Sequence, residues 1–281
     1  MPARQIEYLT TPYGDVAYTQ TGAGPPALFI HGVFLNGYLW RHIIDGVSDL
    51  RRCFAIDLLG HGETRTSADT DMSFNTQAAM LEAVCAGLGV AQVDVVANDS
   101  GGGIAQIFAA NHPGRIRSLT LTNCDVHDNW PPPALEPLLA AAKDGKLGDL
   151  GRAMLADADF ARQSLAMGYE HPERLSAETI RIYLEPLFRD PEATSLFAQM
   201  FVEMDNRQTT AIKPGLQSLR APTLIVWGDG DIFFDVKWAH WLNATIPGAV
   251  EPIILDGAKL FFPEERPAEL IAPLRKFWSA G

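Results

Sequence analysis

The stretch "DVVANDSGGGIAQIFAA", residues 94–110, constrains the fold more than any other part of the chain. A β-branched run enters a knot of small residues and leaves as an alanine-rich segment of helical character. So tight a strand-to-helix turn needs small side chains two positions before and two after its apex. With Asp99 at the apex these are Ala97 and Gly101, followed by Gly102. With Ser100 they are Asn98 and Gly102, and asparagine fits less well. Asp99 is therefore the candidate nucleophile and Ser100 a minor variant, although an aspartate here also suits a plain helix N-cap. Ligands of open α/β sheets bind beyond the carboxyl ends of the strands, where the next helix offers N–H groups and its positive dipole end to developing negative charge.

The rest of the chain repeats the theme. "DVAYTQTG" (15–22) alternates like a half-buried strand, so with "PPALFIHG" (25–32) it reads as an edge hairpin followed by a buried strand. "RCFAIDLLGHG" (52–62) is a buried strand running into a glycine-rich loop, and "QAAMLEAVCAGLG" (77–89) has helical spacing closed by glycine. A helix over 103–111, then "SLTLTNCD" (118–125), "PTLIVWGDGD" (222–231) and "EPIILDGA" (251–258) continue the alternation. Strand, crossover helix and strand in succession imply a mostly parallel sheet flanked by helices. Between Trp130 and Ala211 the rhythm breaks into polar-faced helical segments without a buried strand, which reads as an insertion. The expected organisation is a core of 1–129 and 212–281 with a helical lid over 130–211.

In this frame the chain resembles the α/β-hydrolase family over nearly its whole length. "FIHGVFLNGYLW" resembles that family's His-Gly oxyanion loop and "AIDLLGHGET" its Asp-x-x-Gly-His-Gly loop. "LRAPTLIVWGDGDIFF" resembles the strand carrying its catalytic acid, and "GAKLFFPEERP" the segment that normally carries its histidine. An aspartate at the apex is similar to the haloalkane dehalogenase and epoxide hydrolase branch. The resemblance implies that Asp99 forms an ester with substrate carbon that water then hydrolyses. It also implies that Asp231 is the acid, and that the N–H groups of Val33 and Ser100 form the oxyanion hole.

Two departures follow. The histidine's place falls on Leu260, which cannot take a proton from water. Of the seven histidines, His127 just after "LTNCD" is the best placed substitute, with Asp125 to orient it, and a solvated loop histidine is the plainer alternative. Lys259, if desolvated, is a second candidate base. Dehalogenases of this branch hold halide with an asparagine and a tryptophan where Val33 and Ser100 stand here, so the side-chain donors for halide are missing. The epoxide hydrolases' lid tyrosines correspond in type to Tyr169 and Tyr183, which would protonate an opening oxygen or simply pack. Phe34, Trp130, Phe197 and Phe201, with Leu260, would line an apolar pocket for a small organic substrate.

Composition bounds the alternatives. A formal net charge of −12 argues against nucleic acid or an anionic membrane as partner. No apolar run is long enough to span a bilayer, and "MPARQIEYLT" lacks a secretory h-region. The three cysteines are widely spaced in apolar surroundings and read as reduced thiols of a cytoplasmic protein. No metal or organic cofactor is called for, and a homodimer is possible. The expected function is hydrolysis of a small apolar ester, epoxide or related molecule through Asp99. The alternatives are a lyase, isomerase or cyclase using Asp99 as general base, and a ligand-binding member that has lost turnover.

Overall fold

The computed structural model describes residues 5–279. Eight strands form one sheet: β1 (Glu7–Thr11), β2 (Gly14–Thr21), β3 (Pro26–Ile30), β4 (Arg52–Ile56), β5 (Val93–Asp99), β6 (Ile116–Cys124), β7 (Thr223–Gly228) and β8 (Ile253–Leu255). Their order is β1-β2-β4-β3-β5-β6-β7-β8. β2 pairs antiparallel with β1 and with β4, and every other pairing is parallel. This is the mostly parallel sheet that the alternation implies, in the form expected from the resemblance to the α/β-hydrolase family. The hairpin partner of β2 is β1, and β4 separates β2 from β3.

β5 is buried along its whole length because helices cover both faces of the sheet, which is why it reads as a continuous apolar run. β8 is shorter than its sequence pattern suggests, with Ile253 and Ile254 exposed at the sheet edge. The parallel register places Ile30 of β3 opposite Ala97 of β5, and Gly228 of β7 opposite Leu255 of β8. The loops leaving β3, β5, β6, β7 and β8 therefore converge at one edge of the sheet.

Between β6 and β7 the described chain contains helices only. The main ones are Glu136–Lys143, Leu147–Ala156, Ala158–Leu165, Ala177–Phe188 and Pro191–Glu203. Four helices of this segment start on side-chain caps, supplied by Asp157, Ser176, Asp190 and Asp205, with Ser176 accepting from Thr179 N–H and Asp190 from Ala193 N–H. Phe34 of the core meets Phe197 of the insertion with ring centroids 5.1 Å apart. Trp130 Nε1 donates to the Met204 carbonyl at 2.9 Å. Among the described residues no helix is long and apolar enough to cross a membrane.

Candidate active site

Asp99 ends β5 with φ 57° and ψ −139°, a conformation L residues rarely adopt, and Ser100 opens the helix Ser100–Asn111. The glycines around it are fixed by contact. A Cβ on Gly32 would overlap the Asp99 carboxylate, one on Gly101 the His31 carbonyl, and one on Gly102 the Cys124 side chain. The strained backbone and the close approach of the β3 loop thus explain the small residues of the turn.

The Asp99 side chain makes no N-capping bond to its helix. Instead the backbone N–H groups of Ser100 and Val33 stand near its carboxylate and favour its charged form. Burial pushes the carboxyl up to about 7. The two N–H groups oppose that rise and the charge of nearby Asp231 adds to it. The Ser100 hydroxyl is buried without a partner, and Ser100 does not line the cavity that Asp99 faces. That cavity, of about 380 Å³, has the size of a small-molecule site. Phe34, Phe233 and Leu260 of the core and Trp130, Leu138 and Met154 of the insertion are among its walls. Its polar side chains are Asp99 and Ser164, and the Ser164 hydroxyl donates to the Phe160 carbonyl. Exposed Pro137 and Met167 mark its opening to solvent.

Asp231 follows β7. Its Oδ2 accepts from Asn123 Nδ2 at 2.9 Å and its Oδ1 from Phe233 N–H at 2.8 Å. Asn123 is itself fixed, donating to the Gly228 carbonyl and accepting from Gly228 N–H. Burial pushes Asp231 up to about 7 as well, against these donors. Asn123 was not singled out in the sequence. Its signal would have been a polar side chain at the carboxyl end of a strand otherwise buried. Leu260 faces the cavity beside Asp99, and its carbonyl accepts from Asn98 Nδ2 at 3.0 Å.

The structure does not bring the other candidates to this point. None of the seven histidines lines the cavity. His127 has φ 53°, and its ring lies stacked on Trp241 with centroids 4.8 Å apart, so it is directed onto the helix Lys237–Thr245 rather than toward Asp99. Asp125 is fully buried with both carboxylate oxygens unpartnered, so it does not orient His127. His31 is a structural residue: its Nε2 accepts from Leu58 N–H, and Nδ1–H therefore donates to the Gly32 carbonyl. Burial pushes His61 down to about 3, which keeps it neutral. Lys259 donates to the Ala166 carbonyl.

Tyr169 and Tyr183 are likewise absent from the cavity. Both hydroxyls donate to buried Glu264, at 2.7 and 3.1 Å, and Arg41 closes the cluster from the core side. They clasp the insertion to the core. Phe197 and Phe201 pack behind Phe34 rather than lining the cavity themselves.

An eight-stranded, mostly parallel sheet with a strained acidic turn at the end of β5 defines the class, and comparison with known proteins agrees. The alpha/beta hydrolase fold family matches residues 25–266, and the chain belongs to that family. Haloalkane dehalogenase 2 of Mycobacterium tuberculosis is 27% identical over 271 residues, covering 93% of this chain and 90% of the relative. Cis-3-alkyl-4-alkyloxetan-2-one decarboxylase of Xanthomonas campestris is 25% identical over 270 residues, covering 90% and 88%. The crystal structure of a haloalkane dehalogenase from Bradyrhizobium elkani superposes with a TM-score of 0.81 at 23% identity over 99% of both chains, a likeness of fold.

Proposed function

We propose that the chain is a hydrolase-family enzyme in which the Asp99 carboxylate attacks a tetrahedral carbon of a small apolar electrophile, beneath a lid formed by the helical insertion. The observation that carries this reading is that the Asp99 carboxylate lines an apolar cavity with the N–H groups of Val33 and Ser100 turned to it and favouring its charged form. A substrate carbonyl undergoing acyl transfer would need those donors for its own oxyanion, so the arrangement suits displacement at alkyl carbon better. Once the alkyl ester has formed on Asp99, the same two donors polarise its carbonyl.

The names of two relatives carry substrates of this kind, a haloalkane and a dialkyl oxetan-2-one. An epoxide is less well served, because the tyrosine hydroxyls that would protonate its oxygen are held by Glu264. Leu260 at the family's histidine position, together with a carboxyl near neutrality, favours one other reading, in which Asp99 is a general base and no covalent intermediate forms.

Incubation with 1-iodobutane or 1-iodohexane and intact-protein mass spectrometry separates the two. Iodide leaves with the least help from donors, so the nucleophile reading expects a gain of one alkyl group, mapped to Asp99 and absent from Asp99→Asn. No gain, or a gain on Ser100, overturns it.

A further inference from the structure

The loop after β3 holds a strained residue that lining the cavity does not explain. Phe34 has φ 65°, in the left-handed region where glycine is the ordinary choice. A bulky side chain persists in such a turn only where its surroundings over-determine it. Here those surroundings come from the insertion. The Phe34 ring meets Phe197 edge to face with centroids 5.1 Å apart, and Phe201 at 6.4 Å. Both partners are buried on the helix Pro191–Glu203. Two residues on, buried Asn36 donates from Nδ2 to the Ile182 carbonyl of the helix Ala177–Phe188 at 2.7 Å. The loop is therefore tied to the insertion at two points.

On its other side the loop closes on Asp99. A Cβ on Gly32 would overlap the Asp99 carboxylate, and Val33, between Gly32 and Phe34, lines the cavity with Asp99. Downstream the chain is fixed in the core, with Leu35 fully buried and Gly37 N–H donating to Asp57 Oδ1 at 2.8 Å. A change of φ at Phe34 has to be taken up on the Val33 side.

Resting on the nucleophilic role of Asp99, we propose that Phe34 is a positioning residue: its ring, seated against Phe197 and Phe201, holds the strained turn that presents the Val33 N–H to the Asp99 carboxylate. The insertion and the attacking group are thereby coupled. With the insertion seated, the ring contacts offset the strain and the donor stays in place. When they are withdrawn, the turn relaxes toward negative φ and carries the donor away. The Ser100 N–H stays, because it belongs to the turn of Asp99 itself. The consequence falls on the charge of Asp99. The Val33 N–H favours the ionised carboxyl, so its loss raises the pH at which Asp99 becomes able to attack. The charged groups that act on Asp99 from elsewhere are Asp231 beyond β7 and Asp125 beyond β6, and neither belongs to the loop or the insertion. His61, whose ring meets Phe197 at 5.5 Å, is kept neutral by burial, as is the Cys124 thiol.

The test is the pH profile of Asp99 alkylation by 1-iodohexane, read by intact-protein mass spectrometry on wild type, Phe34→Ala, Phe34→Gly and Phe197→Ala, with thermal unfolding of the same preparations. At position 34 alanine keeps the strain and loses the ring, whereas glycine loses both. The expected result is a midpoint raised by about half a pH unit or more in Phe34→Ala and Phe197→Ala, and by less in Phe34→Gly. A ring that only packs predicts the reverse order at position 34, since glycine removes more than alanine does. Midpoints equal to the wild type, or a glycine variant shifted as far as the alanine variant, overturn the inference. Phe197 is fully buried, so if Phe197→Ala does not fold, the two variants of half-buried Phe34 decide alone. The wild-type protein tells which idea has failed. If it is alkylated at Asp99 and the midpoints do not move, only the coupling is lost. If it is not alkylated, the nucleophilic reading falls and takes the coupling with it.

Discussion

The side-chain amide of Asn98 donates to the main-chain carbonyl of Leu260 at 3.0 Å, so the residue before Asp99 fixes the loop that walls the cavity. Asn98 also donates to Thr122 Oγ1 at 2.9 Å, which ties the same amide to β6. The backbone at the family's histidine position is thus held independently of the side chain it carries. Asp231 is held just as firmly by Asn123. Leu260→His would then place an imidazole on a prepared backbone beside a prepared acid. An alkyl ester formed on Asp99 from 1-iodohexane should be released in this variant at least about tenfold faster than in the wild type, as general-base catalysis commonly supplies more than that. Intact-protein mass during a chase without iodoalkane measures the lifetime. An unchanged lifetime would mean that Asp231 and residue 260 are not aligned for proton transfer.

Alkylation of Asp99 should depend on pH through the carboxyl that burial has pushed up to about 7. Only the ionised form attacks, so the rate falls as pH falls. Well below the carboxyl's value, each pH unit removes about nine-tenths of the remaining rate. Above it the rate levels off. Initial rates of adduct formation from pH 5 to 9 give the profile directly, and a flat profile would show that Asp99 is already fully ionised at the acid end.

The sheet and the elbow were legible in the sequence because they are written in backbone constraints. Gly101 and Gly102 are small because a strained turn packs against the β3 loop and Cys124, and those contacts leave no room for a Cβ. Asp231 was legible for a similar reason, sitting at the end of a buried strand. The base candidate was not. A position just after β6 says where the His127 backbone lies, but a positive φ turns the ring onto Trp241, far along the chain. Tyr169 and Tyr183 misled in the same way, since their partner Glu264 is distant in sequence and only the fold brings it near. The cavity walls supplied by Leu138 and Met154 were hidden because several helices of the insertion show an apolar face, and the sequence does not say which faces Asp99.

Asp99→Asn should stabilise the fold, and more so at alkaline pH. The carboxyl rises from an ordinary value of 3.8 to about 7 on folding. The native state therefore binds a proton that the unfolded chain lacks between those values, and stability falls as pH rises through that window. A neutral asparagine removes this dependence. The gain in unfolding free energy should be larger at pH 8 than at pH 5 by on the order of 2 kcal/mol, given about 1.4 kcal/mol per pKa unit. Urea unfolding at the two pH values measures it. A gain that is equal at both would place the folded and unfolded carboxyls at the same value.

Tyr169→Phe and Tyr183→Phe separate a structural from a chemical role for the two hydroxyls. Each removes one donor from Glu264, a carboxylate packed between Arg41 and the insertion with little access to water. Leaving a buried acceptor short of a partner costs roughly 1–3 kcal/mol, so both variants should melt at lower temperature than the wild type. Tyr169→Phe should lose more, because its bond to Glu264 is the shorter and serves Oε2, whereas the Oε1 that accepts from Tyr183 also accepts from Arg41 Nη2. Neither ring lines the cavity, so the rate of Asp99 alkylation by 1-iodohexane should change less than about twofold, the spread expected of surface-neutral effects on a distant site. Thermal unfolding and adduct mass spectrometry on the same preparations provide the two readouts. A collapse of alkylation with an unchanged melting temperature would reverse the assignment and return the tyrosines to the reaction.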